Sequence, residues 1–188
     1  MSEQEILARV KDFAAEAHKG QKRKYTPEPY IVHPVRVMEA LRKHTDDLSV
    51  LCAALLHDVL EDTPVNEYDL HKFLVSVMDE NPAIRTLRLV VELSDVYTSE
   101  NYPRFNRRQR KEMERNRIEK TSPVSQTIKY ADIIDNCREI VKHDRDFARV
   151  FLSECRLLLK KIPSGNAELY RLAKQTLDEN LEKIHSRS

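Results

Sequence analysis

Glycine is nearly missing from this chain: of 188 residues only Gly20 and Gly165 are glycine. That excludes a phosphate-cradling P-loop and a Rossmann fingerprint, both of which need glycines at fixed offsets. It also argues against an architecture rich in hairpins. Cysteine is scarce too. Cys52, Cys137 and Cys155 are odd in number and widely spaced, with no C-x-x-C pair. Each falls in an apolar helical pattern, so reduced core thiols in a cytoplasmic protein are expected. No apolar run approaches the roughly 20 residues of a membrane span. The first residues, Met1-Ser2-Glu3-Gln4-Glu5, carry no signal-peptide pattern. The formal net charge is only +1, so global charge makes no case for binding nucleic acid or a membrane.

What is present is a soluble-protein composition, 40% hydrophobic and 34% charged, in a chain long enough for one domain with a substantial core. The apolar residues recur at helical spacing throughout. Ile6, Val10, Phe13 and Ala17 open the series. Pro34 sits where a first-turn proline is tolerated, with Val37, Met38 and Leu41 behind it. A central helix is expected from about Asp47 to Leu60. Further stripes run through Leu70, Phe73, Leu74 and Val77, and then Ile84, Leu87 and Val91. After a looser segment from Ser94 to Pro103 comes a highly charged helix from about Asn106 to Lys120. Ser122-Pro123 reads as a helix start, followed by Tyr130, Ile134, Cys137 and Val141. Phe147, Phe151, Cys155, Leu158 and Ile162 form the next stripe, and Tyr170, Ala173, Leu177, Leu181 and Ile184 the last. No alternating strand pattern, internal repeat, heptad array or linker interrupts the series. The expected fold class is all-α, a single-domain irregular helical bundle.

One stretch carries chemistry. The apolar run Val50–Leu56 leads directly into His57 and Asp58, with Glu61 and Asp62 four residues further on. On one continuous helix, His57/Glu61 and Asp58/Asp62 form adjacent rows on a single face. An imidazole and three carboxylates on a nearly all-apolar, hence buried, helix need compensation. A divalent cation would supply it. His33, at the start of the preceding helix, and Asp132, within the mostly apolar run Ile128–Ile134, are the best additional ligands. Two imidazoles and two carboxylates make a mixed nitrogen/oxygen site. It suits Mn²⁺ or Fe²⁺, with Co²⁺ or Zn²⁺ as alternatives.

His33, then His57-Asp58, then the distant Asp132 resembles the pattern of the HD-superfamily phosphohydrolases. Three motifs narrow the resemblance to RelA/SpoT-type alarmone hydrolases. The segment from Gln21 through Arg23, Lys24, Pro29-Tyr30 and His33-Pro34 is similar to the loop that leads into their first ligand. Ala54–Thr63 resembles their HDxxED motif. Ile128–Arg138 resembles their late motif with Asp132, Asn136 and Arg138. The resemblance implies an HD hydrolase domain over residues 1–188. Its motif-bearing part is about 21–138, and the helices within 146–185 complete the bundle. Because the chain ends where the family's synthetase and regulatory domains would begin, a stand-alone small alarmone hydrolase is expected.

The implied activity is removal of the 3′-pyrophosphate from guanosine 3′,5′-bis(diphosphate), (p)ppGpp, with Mn²⁺. The implied ligands are His33, His57, Asp58 and Asp132. Glu61 and Asp62 are the expected groups that orient or deprotonate water. Arg23, Lys24 and Lys129 are expected on the substrate's phosphates, Asn136 on the ribose or nucleotide, and Arg138 on a phosphate or bracing the site. A small-molecule nucleotide is the expected partner, not nucleic acid and not a membrane. Two other readings stay open: a related HD phosphatase taking the 2′-phosphate from NADPH, and a non-catalytic nucleotide-sensing helical module. The sequence departs from many relatives at Lys24–Glu28, where they have a shorter turn containing Ser-Gly. His18, His44, His71, His143 and His185 belong to no motif and are expected at the surface or the core edge. The basic run Arg104–Lys111 is interleaved downstream with Glu112, Glu114 and Glu119, and is expected to be a solvated helix face.

Overall fold

The structure, a computed structural model, describes residues 1–185, with the backbone alone at His185. The described residues are helical, joined by turns and loops, with one isolated antiparallel bridge between Lys22 and Pro29. No described helix is long and apolar enough to cross a membrane. The helices group into two compact units, residues 1–94 and 95–188, each described below by itself.

The first unit holds α1 (Glu3–Ala17), α2 (Val32–Arg42), α3 (Leu48–Leu56), α4 (Val59–Asp62), α5 (Glu67–Val77) and α6 (Glu80–Leu93). Ser2 opens α1 with a reciprocal cap to Glu5, Asp47 caps α3 through Ser49 N–H, and Asn66 caps α5 through Asp69 N–H. Helix α3 is the hub. Every residue from Ser49 to Leu56 is buried, and α1, α2 and α6 pack around it. That environment is why its sequence is apolar on all sides.

The expected central helix is broken. The backbone leaves helical pairing at His57 and Asp58 and resumes as the single turn α4. On α6 the buried row is Ala83, Thr86, Val90 and Leu93, while Ile84 is 49% exposed. The expected stripe through Ile84 misses this row because its members include a small and a hydroxyl-bearing residue.

The second unit holds α7 (Arg107–Ile118), α8 (Pro123–His143), α9 (Arg145–Lys161) and α10 (Ala167–His185). Helix α8 starts as its sequence requires, with Ser122 as cap and Pro123 in the first turn. It packs on α9 and α10, and α7 lies on α9, where Arg107 grips Glu154 through two 2.8 Å hydrogen bonds. Glu114 overturns the expectation of a wholly solvated α7. It is 3% exposed and accepts from Val96 N–H and Tyr97 N–H, while also pairing with Arg117. A buried carboxylate therefore pins the start of the 94–105 segment. Gly165 lies so close to α8 that a Cβ there would stand 2.6 Å from Tyr130 Cε2.

Candidate active site

His33 enters the first unit's core at the second position of α2, 1% exposed. His57 ends α3, 2% exposed. Its Nδ1 lies 2.8 Å from the Ala54 carbonyl oxygen. A carbonyl can only accept, so Nδ1 carries the proton and Nε2 keeps its lone pair. That Nε2 lies 3.1 Å from Asp58 Oδ2, and His33 Nε2 lies 3.7 Å from the same oxygen. The potential ligand atoms of His33, His57 and Asp58 all fall within 4.8 Å of one another. Lone pairs gathered on one carboxylate oxygen require a proton or a cation between them. The donor set and the fixed tautomer fit a divalent metal.

The break after Leu56 makes this possible. It lets Asp58 turn its carboxylate back toward His57, which a continuous helix would point along a neighbouring row. One helical link survives, Asp62 N–H to the Asp58 carbonyl at 2.9 Å, and it holds Asp62 a turn beyond the ligands.

Tyr30 then joins the two acids. Its hydroxyl lies 2.8 Å from Asp58 Oδ2 and 3.0 Å from Asp62 Oδ2. Burial, and the negative charges of Asp58 and Asp62, push the phenol's pKa well above its ordinary value. It therefore remains a donor at any working pH. The Asp62 carboxyl is also raised, first by burial and then by Asp58, with the Tyr30 hydrogen bond opposing. Asp62 retains solvent access. A carboxyl both accessible and raised is a suitable proton acceptor for water. Glu61 and Asp62 are both exposed on α4, and Asp62 is joined to the ligand group through the Tyr30 hydroxyl.

The loop from Gln21 to Tyr30 brings further groups. Arg23 places its guanidinium 5.6 Å from the centre of the Tyr30 ring. Lys24 is exposed and lies instead over Tyr25, at 4.9 Å. Two residues without an expected role belong here. His18 is 2% exposed, not a surface histidine, and stacks on Tyr30 with ring centres 4.5 Å apart. Gln21 donates from Nε2 to the Asp62 carbonyl at 2.7 Å. The signal for His18 was present, since it continues the buried row Val10–Ala14 at four-residue spacing.

The second unit gathers the late motif around one buried acid. Asp132 is 6% exposed. Lys129 Nζ lies 2.8 Å from its Oδ2, and Asn136 Nδ2 donates to its Oδ1 at 2.5 Å. Lys129 and Asn136, expected on the substrate, are thus found on Asp132. Arg138 is not in this group. It is exposed and lines a groove of about 390 Å³ between α8 and α10, beside Lys142 and Lys183.

Residues 11–149 match the HD domain family. The chain belongs to the HD domain family. Among its HD relatives, human guanosine-3′,5′-bis(diphosphate) 3′-pyrophosphohydrolase MESH1 is 35% identical over 145 residues, 74% of this chain and 72% of that protein. A probable guanosine-3′,5′-bis(diphosphate) 3′-pyrophosphohydrolase of Mycoplasma pneumoniae is 25% identical over 92% of this chain. The HD chain spans only 23% of that longer protein's length. Among solved structures, one described as a metazoan ortholog of SpoT that hydrolyzes ppGpp and plays a role in starvation responses superposes with a TM-score of 0.76. It is 26% identical, and the match covers 95% of this chain and 94% of that one.

Proposed function

We propose that this HD protein is a metal-dependent (p)ppGpp 3′-pyrophosphohydrolase. Water attacks the 3′-pyrophosphate, the bond from phosphorus to the ribose 3′-oxygen breaks, and GDP or GTP leaves with pyrophosphate as the second product. The observation that carries the reading is the convergence of His33 Nε2, His57 Nε2 and Tyr30 Oη on one oxygen of Asp58, with Asp62 held by the same phenol. The kinship with MESH1 supports the substrate.

His33, His57 and Asp58 would hold the metal, with Asp132 as a fourth ligand by virtue of its place in the late motif. Mn²⁺ is the proposed ion, since imidazoles and carboxylates without thiolates suit it. When bound, the ion neutralises phosphoryl charge and lowers the pKa of a water. The remaining work falls to side chains. Asp62 accepts the proton of the attacking water at a carboxylate oxygen. Asp58 and the two imidazoles set the geometry, and the Ala54 carbonyl keeps His57 in the required tautomer. Arg23 contributes fixed positive charge for a substrate phosphate. Lys129 and Asn136 keep Asp132 oriented.

The test is turnover by purified protein of ppGpp, pppGpp and NADPH, with and without Mn²⁺, with products identified. Pyrophosphate from the alarmone, dependent on metal, is the expected result. Orthophosphate from NADPH alone would move the activity to a 2′-phosphatase, and no turnover with any of the three would leave a binding module.

A further inference from the structure

The loop before α2 grips Asp62 at two points. Gln21, where the loop begins, donates to the Asp62 main-chain carbonyl at 2.7 Å, and Tyr30, where it ends, reaches the Asp62 side chain at 3.0 Å. The two ends are joined to each other, Tyr30 N–H to the Gln21 carbonyl at 3.1 Å. Gln21, Tyr30 and Asp62 therefore form a closed ring of hydrogen bonds. His18 fixes the orientation of the Gln21 amide. Its Nδ1 lies 2.8 Å from Gln21 Oε1, and because Gln21 Nε2 is committed to Asp62, the oxygen must accept and Nδ1 must donate. His18 also stacks on the Tyr30 ring, whose edge meets His33 at 6.2 Å.

Tyr30 differs from Gln21 in one respect. Its single proton faces two acceptors, and one of them is Asp58 Oδ2, the oxygen that both imidazoles approach. We propose that Tyr30 and Gln21 are positioning residues forming a two-point clamp: both set Asp62 relative to the site, and Tyr30 alone also orients the ligand oxygen of Asp58. This rests on the proposed hydrolase reading for its catalytic consequence, but not for its effect on the metal. The physical reason is that partners of ligating carboxylates fix the direction of the ligand lone pair. Their loss costs roughly 10- to 100-fold in metal affinity or activity. Of the two acids, the Gln21 side chain bonds Asp62, through its main-chain carbonyl, and so has no such direct lever on the metal.

The experiment compares Tyr30→Phe, which keeps the ring and its contacts with His18, Arg23 and His33, with Gln21→Met, which keeps the length of the side chain. Mn²⁺ dissociation constants come from calorimetric titration, and kcat and KM from alarmone turnover. Thermal melting monitors the fold. Tyr30→Phe is expected to weaken Mn²⁺ binding about tenfold and to lower kcat by roughly 10- to 100-fold with KM unchanged. Gln21→Met is expected to lower kcat while leaving Mn²⁺ affinity unchanged. In an Asp62→Asn background the kcat loss from Gln21→Met should vanish, because the group it positions is already disabled. Wild-type Mn²⁺ affinity in Tyr30→Phe overturns the clamp, as does a Gln21→Met loss that persists in full beside Asp62→Asn. If the wild-type protein turns over no alarmone, the hydrolase reading falls while the Mn²⁺ titrations still decide the role of Tyr30. Rescue of any poorly folded Tyr30 variant is judged against Tyr30→Leu, which removes ring and hydroxyl together. A loss seen in Leu but not in Phe assigns Tyr30 to packing and overturns the proposal.

Discussion

Asp58 and Asp132 are both buried-side carboxylates on motifs of one family, yet they are held in opposite ways. Asp58 faces two imidazole nitrogens and a phenol, groups that bring no fixed positive charge. Asp132 faces an ammonium and an amide, Lys129 and Asn136. The first arrangement gathers the donor atoms of a mixed nitrogen and oxygen site. The second meets an ammonium and an amide from its own helix, at three- and four-residue spacing. The same acid thus meets ring and phenol groups at one motif and a cation at the other, and the two settings can be tested separately.

The largest expected effect tests the first half of that comparison. Asp58→Asn and His57→Ala should abolish Mn²⁺ binding and turnover together, measured by metal content and product release. Asp132→Asn is the variant that can break the comparison. Retained metal would remove Asp132 from the proposed ligands, whereas lost metal would place it among them despite its ion pair with Lys129.

Next in size is Asp62→Asn, which should keep the metal and lose on the order of 10²- to 10⁴-fold in kcat. Glu61→Gln should lose less, because it is Asp62 that the Tyr30 hydroxyl joins to Asp58. Asp62 also predicts a pH effect with a definite sign. Its carboxyl is raised above the ordinary 3.8, so the fold disfavours the ionised form. The stability it contributes is present below that ordinary value and is lost as pH rises through the raised one. Metal-free Asp62→Asn should therefore melt higher than wild type near neutrality, with no difference in strong acid.

A smaller effect concerns Lys129. In the metal-free protein Lys129→Met should destabilise by roughly 3 kcal/mol, the cost of leaving a buried acid without its counter-charge. If Asp132 is a ligand, added Mn²⁺ should recover most of that loss in a melting experiment. Smallest are the loop cations. Arg23→Ala should raise KM on the order of tenfold, as for one lost charge-assisted contact. Lys24→Ala should change it less, because Lys24 is exposed and lies over Tyr25.

Much of this was legible in the sequence. Helical spacing located nine helices among the described residues, the central one of which splits into α3 and α4. The cost of buried charge drew attention to His57, Asp58, Glu61 and Asp62, with His33 and Asp132 as further candidate ligands. The break at His57–Asp58 was not legible, because His57, Asp58 and Val59 are only modestly weak helix formers and no Gly or Pro marks the place. The two residues leave helical pairing where their side chains meet each other and His33, a tertiary preference. Tyr30 and Gln21 escaped for a related reason. A tyrosine and a glutamine in a loop have no periodicity to betray them, and their partner Asp62 lies 32 and 41 residues away. Glu114 was misread because interleaved charge on a helix looks the same whether one acid is buried or none is. The residues that brought it inside, Val96 and Tyr97, contribute only backbone N–H groups.

The bridge between Lys22 and Pro29 has a consequence for how such proteins can diversify. With Arg23 N–H donating to the Glu28 carbonyl at 3.0 Å just inside it, the stem of the loop is closed before the chain reaches Lys24–Pro27. Those four residues form a tip whose length can change without shifting Gln21 or Tyr30 at its base. The tip is thus a module that insertion, deletion or grafting can rewrite while the ligand geometry is conserved. It is the natural place to exchange loop sequences between relatives when altering which nucleotide is accepted.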